Sequence, residues 1–177
     1  YAHICYVQQK YEMALENFLL IQTEKKFSQI VPFYIAQIYF IQKKYRQAID
    51  YAAPIADTLT GNNVGLVRRI LAESNFELKD YQKSVDNYNK VLEAGNTLDR
   101  IGHYKFGLAS YFIRDYETAG TNLKDATSEV DSMSQSAYYY LADCLIKTDH
   151  KRQALDAMHF AYSYEFDKPM AKEALMN

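Results

Sequence analysis

The sequence predicts an all-α chain of stacked antiparallel helix pairs, and three observations predict it. A small residue returns at a steady interval: Ala14, Ala48, Ser84, Ala119 and Ala154 are separated by 34, 36, 35 and 35 residues. Large and small apolar residues keep fixed offsets from these anchors through five units. Turn formers are scarce, since six Gly and three Pro make up about 5% of the chain against roughly 12% on average. That scarcity disfavours β meanders and barrels.

Within each unit the offsets describe two short helices. Four segments read Tyr-x-x-small: Tyr11–Ala14, Tyr45–Ala48, Tyr81–Ser84 and Tyr116–Ala119, and the fifth keeps Ala154 without the Tyr. Twelve residues before each anchor stand Ala2, Ala36, Ala72, Gly107 and Ala142, each preceded by Tyr1, Ile35, Leu71, Phe106 or Leu141. Four residues after the anchors come Phe18, Ala52, Tyr88, Leu123 and Met158, and seven after come Ile21, Ile55, Val91, Ala126 and Ala161. Apolar steps of 3, 4 and 7 lie on one helical stripe. A recurring Ala or Gly marks a place where two helix backbones approach closely.

The breaks fall between these stripes, unit by unit. In the second unit Pro54 lies within the second helical pattern, so that helix is expected to bend or end early. Gly61-Asn62-Asn63 reads as a loop before the third unit, and Gly95-Asn96 as a helix terminator after it. Asp80, Asp115 and Asp149 precede second helices, where a short side-chain oxygen can cap free N–H groups. Asp167 before Lys168-Pro169 is a further start signal, with Pro tolerated in the first turn. The segment 169–177 then reads as the opening of a sixth unit's first helix. Because both ends fall inside a unit, 1–177 is expected to be one array excerpted from a longer one. Such an excerpt would be prone to self-association end to end through its uncapped faces.

Composition excludes several classes. Lys plus Arg is 20 and Asp plus Glu is 22, a net charge of -2, which offers no basic footprint for nucleic acid. Two Cys cannot build a disulfide scaffold. No apolar run approaches the roughly 20 residues of a membrane span, so direct membrane insertion is not expected. The chain holds 17 Tyr, nine Phe and no Trp.

The period and the Tyr-x-x-Ala steps at Tyr11/Ala14, Tyr45/Ala48 and Tyr116/Ala119 resemble the tetratricopeptide repeat (TPR) family over essentially the whole chain. The family's Trp is absent, and its mid-helix Tyr survives only as Tyr39. The resemblance implies an α-α superhelix, a right-handed solenoid whose first helices line the concave side. On those helices the slot eight before each anchor holds Tyr6, Phe40, Phe76, Tyr111 and Ile146. The slot fifteen before holds Phe33, Arg69, Tyr104 and Tyr139, and eleven before stand His3, Gln37, Glu73, Leu108 and Asp143. The candidate partner-binding residues are therefore Phe33, Phe40, Arg69, Glu73, Phe76, Tyr104, Tyr111 and Tyr139. Aromatics supply large contact area at little rotamer cost, and Arg69 with Glu73 can orient a guest. Rings closing the seam between repeats are the competing reading. The family's C-terminal carboxylate clamp, built on Lys and Asn, is not matched by Phe33, Gln37, Arg69, Glu73 or Tyr104.

No catalytic constellation stands out. His3, His103, His150 and His159 sit in different units, and none has a second ligand at metal spacing. Cys5 and Cys144 read as buried thiols of the helix seam. Lys25-Lys26, Lys43-Lys44 and Arg68-Arg69 read as helix-end charges. There is no phosphate loop, G-x-S-x-G elbow or H-E-x-x-H pair.

The expectation is a non-catalytic, cofactor-free interaction scaffold for a protein or peptide, bound in the concave aromatic groove. The alternatives are a structural spacer within a larger envelope or assembly protein, its groove filled by its own chain, and a regulator of an enzyme elsewhere in the same polypeptide. The compartment stays open, with the resemblance leaning toward the bacterial envelope over the cytoplasm. If the small anchors mark close helix crossings, Ala48→Leu overpacks one and lowers stability by about 1–3 kcal/mol in urea denaturation. An unchanged midpoint would refute that role.

Overall fold

In a computed structural model describing residues 1–176, the described chain reverses direction five times through the same backbone device. Gln9, Lys43, Lys79, Arg114 and Asp149, each five residues before an anchor, take left-handed backbone with φ between 58° and 67°. In each turn the left-handed residue's N–H donates three residues back, as Lys79 does to Phe76 O at 2.9 Å. The following N–H donates five residues back, as Lys10 does to Cys5 O at 2.9 Å and Asp115 to Ser110 O at 2.9 Å. These two bonds satisfy carbonyls that a helix end leaves open and turn the chain antiparallel.

The turns separate eleven α-helices among the described residues. The chain divides into two compact units, the first ending at Thr97 and the second starting at Leu98. The first holds α1 (Ala2–Val7), α2 (Tyr11–Ile21), α3 (Val31–Ile41), α4 (Tyr45–Ala52), a 3-10 turn at Ala56–Thr58, α5 (Asn62–Glu77) and α6 (Tyr81–Glu93). The second holds α7 (Arg100–Phe112), α8 (Tyr116–Asp125), α9 (Ser132–Lys147), α10 (Lys151–Ser163) and α11 (Lys168–Met176). Helices pair in sequence, α1 with α2, α3 with α4, α5 with α6, α7 with α8 and α9 with α10, and α11 packs on α10.

The small slots sit where these pairs cross. Ala14, Ala48, Ser84 and Ala119 are fully buried, and so are Ala36 and Ala72 opposite them. Gly107 is the tightest: a Cβ there would lie 2.7 Å from Leu123 Cγ and 3.0 Å from the Leu123 backbone N. Around the crossings the large apolar slots close the core, with Ile35, Phe106, Leu123 and Val91 at most 1% exposed. In the first unit Ile35 and Phe18 belong to one cluster, while Val67 and Leu71 pack with the α4 alanines in another.

The start and stop signals divide into those that act as expected and those that do not. Asp80 and Asp115 cap α6 and α8 by accepting from Lys83 N and Thr118 N, and Asp167 accepts from Met170 N at 3.0 Å. Gly95 has φ 77° just past the end of α6, and α4 stops at Ala52, two residues before Pro54. Asp149 does not cap α10. It is the left-handed turn residue, and His150 holds the N-cap position with no side-chain cap bond. Its oxygen stands one residue too early, because a capping side chain must belong to the residue just outside the first turn. Asn62 and Asn63 likewise are not loop. Gly61, with φ 57°, ends the loop and the two asparagines form the first turn of α5.

Five turns that demand left-handed backbone carry Gln, Lys, Lys, Arg and Asp, and none carries Gly. A side-chain-bearing residue in this region costs about 1–2 kcal/mol, which glycine avoids while losing somewhat more chain entropy on folding. Arg114 is exposed, so Arg114→Gly is expected to stabilise the chain by about 0.5–1 kcal/mol. A urea midpoint equal to or below that of the parent would contradict this account of the turn.

Candidate functional site

In the first unit the sequence-predicted residues occupy α3 and α5, which pack together. Phe33 and Phe40 are half-buried and lie against the cluster of α4 alanines and α5 aliphatics. On α5, Arg69 Nε donates to Glu73 Oε1 at 2.9 Å, with both side chains largely shielded. Phe76 lies one turn further on and is half-buried. Arg68, its neighbour, is not a helix-end charge as the doublet suggested. It sits in the interior of α5 at 6% exposure, paired with Asp57 and donating to Asn87 Oδ1 at 3.1 Å.

The rings eight before each anchor share one geometry. Phe40 meets Tyr45 at 5.5 Å, Phe76 meets Tyr81 at 5.8 Å and Tyr111 meets Tyr116 at 5.9 Å, with interplanar angles from 58° to 67°. Tyr6 and Tyr11 repeat it at 6.0 Å. Each pair bridges the turn between the two helices of one hairpin, and the first-helix ring of each is half-buried. The tilted or edge-on approach places ring edge against ring face, worth about 0.5–1.5 kcal/mol beyond area burial. In the fifth hairpin Ile146 and Lys151 replace both partners.

The second unit adds a polar ladder along α7, α9 and α11. Tyr104 OH and Ser136 Oγ lie 2.8 Å apart, and Tyr111 OH donates to Asp143 Oδ2 at 2.6 Å. Asp143 also accepts from Lys147 at 2.8 Å, and the Tyr111 ring sits 4.9 Å from Tyr140. Burial, reinforced by the bond to Asp143, holds the Tyr111 phenol well above its ordinary value. Burial and a bond to Glu173 push Tyr139 up to about 12. Both phenols are therefore uncharged donors across the neutral range.

One ion pair sets the spacing of α7 and α9. Arg100 binds Asp131 through two nitrogens at 2.7 and 2.6 Å, and also donates to Ala126 O at 2.9 Å and Ser134 Oγ at 2.7 Å. Asp131 in turn caps α9 by accepting from Ser134 N at 2.8 Å. A bidentate guanidinium–carboxylate contact fixes geometry as well as energy. The buried amide of Gln135 does similar duty beyond α10, donating to Ala161 O and Asp167 O and accepting from Asp167 N.

Phe33 and Phe40 lie on α3 and Arg69, Glu73 and Phe76 on α5, two helices that pack together, while Tyr104 and Tyr111 lie on α7 and Tyr139 on α9. Sequence reasoning missed Ser136, Tyr140, Glu173 and the Arg100–Asp131 pair. A signal for them existed. Partners on neighbouring first helices lie 31 to 34 residues apart, just under the repeat period, as Arg100 and Asp131, Tyr104 and Ser136, and Tyr139 and Glu173 do.

The histidines have separate partners. His3 packs on Tyr34, His103 Nδ1 lies 2.9 Å from Asn122 Oδ1, and His150 Nδ1 lies 3.0 Å from Thr148 Oγ1. Among the described residues no group of three or more His, Cys, Asp or Glu is arranged to hold a metal ion. No described helix is long and apolar enough to cross a membrane.

Solved structures place the architecture. YrrB, described as a TPR protein with an unusual peptide-binding site, superposes with a TM-score of 0.77 at 15% identity, covering 99% of this chain and 89% of that one. The chain has the tetratricopeptide repeat fold. MamA matches with a TM-score of 0.70 at 15% identity, over 95% of this chain and 96% of its own. MamA 41-end from Desulfovibrio magneticus RS-1 gives 0.68 at 14% identity, over 94% and 92%. No family model and no curated protein matches the chain. The eight candidate residues lie on α3, α5, α7 and α9, the first helices of successive hairpins.

The Arg100 guanidinium holds the Asp131 carboxyl well below the usual carboxylate range. Its stabilisation is therefore present above about pH 4 and fades as pH falls through the lower folded-state value. Asp131→Asn keeps a capping oxygen but removes the charge. At pH 7 it is expected to cost about 1–2 kcal/mol, discounted because Asp131 is partly solvated. In urea denaturation the gap between variant and parent should narrow as pH drops from 5 to 3. A gap independent of pH would contradict this role.

Proposed function

We propose that this chain is a non-catalytic protein-interaction scaffold, and that the face of its first helices receives an extended peptide or a partner helix. The observation that carries this is the partly exposed ring that recurs eight before four of the five anchors, each held against the Tyr of its own hairpin. A ring held this way is pre-organised, so a guest meets a surface that loses little further freedom on binding. Arg69 and Glu73, paired and largely shielded, supply an orienting dipole on α5, the helix that carries Phe76. The peptide-binding description of YrrB, which shares the fold, agrees with this reading.

A second reading has its own support. The phenols of Tyr104, Tyr111 and Tyr139 are bonded to neighbouring helices, as expected if the chain is a spacer whose inner face is part of its own seam.

A Phe40→Ala/Phe76→Ala variant separates the two. For the scaffold, peptide-array and titration measurements should show binding at least tenfold weaker, with helicity retained and stability reduced by about 1–3 kcal/mol from the two lost ring pairs. Undiminished binding by the double variant would overturn the first-helix face as the site. Failure of the parent chain to select any peptide would favour the spacer.

A further inference from the structure

The register one residue after each anchor is filled unevenly. Immediately after the anchors stand Leu15, Ile49, Val85, Gly120 and Leu155. Leu15 and Val85 are buried, Ile49 is half-buried and Leu155 is exposed. Gly120 fills nothing, although a glycine inside a helix weakens it. A Cβ built on Gly120 would meet only ordinary contacts, 3.7 Å from Cys144 Cβ and 3.8 Å from Leu141 Cδ1.

Beside Gly120 a cleft of about 400 Å³ opens between α8 and α10, with α9 as its floor. Its size falls within the range of ligand sites. None of its lining residues belongs to the first-helix face proposed above. The floor is apolar, made by Leu141 and Cys144, with Ala157 of α10 beside them. Burial pushes the Cys144 thiol up to about 12, so it stays neutral. Tyr116 stands in one wall, and the stacked pair Tyr138 and Phe160, 4.8 Å apart, stands in another.

The shape and the charge of the cleft select an occupant. It follows α8 from Tyr116 to Lys124, about 12 Å at the helical rise and the span of about four extended residues. On its rim Glu117 and Asp156 are exposed carboxylates with no ion-pair partner among the described residues; of the nearby ammonium groups Lys124 lines the cleft, while Lys147, over the Tyr116 ring, is bonded to Asp143. An acidic excess on the rim favours a basic guest and penalises an acidic one.

We propose that this cleft is a second binding site, for a short extended peptide that seats one bulky apolar side chain over Gly120 and sets a basic residue against Glu117 and Asp156. The guest side chain fills the place that Leu15 and Val85 fill in their own hairpins.

The test is titration of the full chain with the end-blocked peptide Ala-Arg-Phe-Arg-Ala, followed by methyl NMR. Shifts are expected at Leu141, Leu145 and Ala157. Replacing the peptide's Phe by Ala should weaken binding at least tenfold, and replacing both Arg by Glu should abolish it. Gly120→Leu should weaken binding at least tenfold with the thermal midpoint maintained, and Glu117→Gln by about two- to threefold. Should Gly120→Leu fail to fold, Gly120→Ala, whose methyl meets no close contact, is expected to weaken binding by a smaller but measurable factor. The proposal is overturned by any of three results: no binding of the Phe peptide to the parent chain, equal binding of the acidic peptide, or shifts that spare Leu141 and Ala157.

Discussion

The close crossing of two helix backbones at the small slots is the contact on which the remaining architecture rests. Ala14, Ala48, Ser84 and Ala119 have no exposed surface, and Ala36, Ala72 and Gly107 are buried opposite them. Dispersion between packed helices falls off steeply with separation, so larger residues here would loosen every contact that flanks the crossing. The neighbouring slots, Ile35 and Phe106 among them, reach full burial only because the crossing is tight. Gly107 shows the limit, since even a methyl there would run into the Leu123 backbone.

A tight crossing requires a tight reversal, and the left-handed turns supply it. Two hydrogen bonds close each turn, which places the start of the second helix beside the end of the first. The ring pair across the turn, Phe40 with Tyr45 or Phe76 with Tyr81, then locks the hairpin from the opposite side. Crossing, turn and ring pair therefore form one unit. This explains why the Tyr three before each anchor accompanies an aromatic eight before it, and why both are absent together in the fifth hairpin.

What could be read from the residues follows from the range of the interactions involved. The helices, the small slots and the caps at Asp80, Asp115 and Asp167 depend on spacings of a few residues, which one sequence displays directly. Asp149 was misassigned because a one-residue shift separates a cap from a left-handed turn residue, and only backbone geometry distinguishes them. The turns themselves were hidden because Gln, Lys, Arg and Asp carry no signature of left-handed backbone where Gly would. Arg68 was misjudged because its partners, Asp57 and Asn87, lie on other elements. The eight candidate residues were found by register. Their partners Ser136, Asp143 and Glu173 are set by how neighbouring first helices lie, a relation one step beyond the period itself.

A repeat constrains some registers and leaves others free, and this asymmetry is the argument for where binding sits. At the anchor and twelve before it, only small residues occur, because backbone contact tolerates nothing else. One residue after the anchor, the sequence runs Leu, Ile, Val, Gly, Leu, and eight before it four rings give way to Ile146. Neither register is held to small residues by backbone contact. The Gly120 cleft and the half-exposed rings occupy these permissive registers on different sets of helices. The proposed cleft thus uses a register that the crossing does not constrain, whereas the proposed ring face shares its register with the contacts that lock each hairpin.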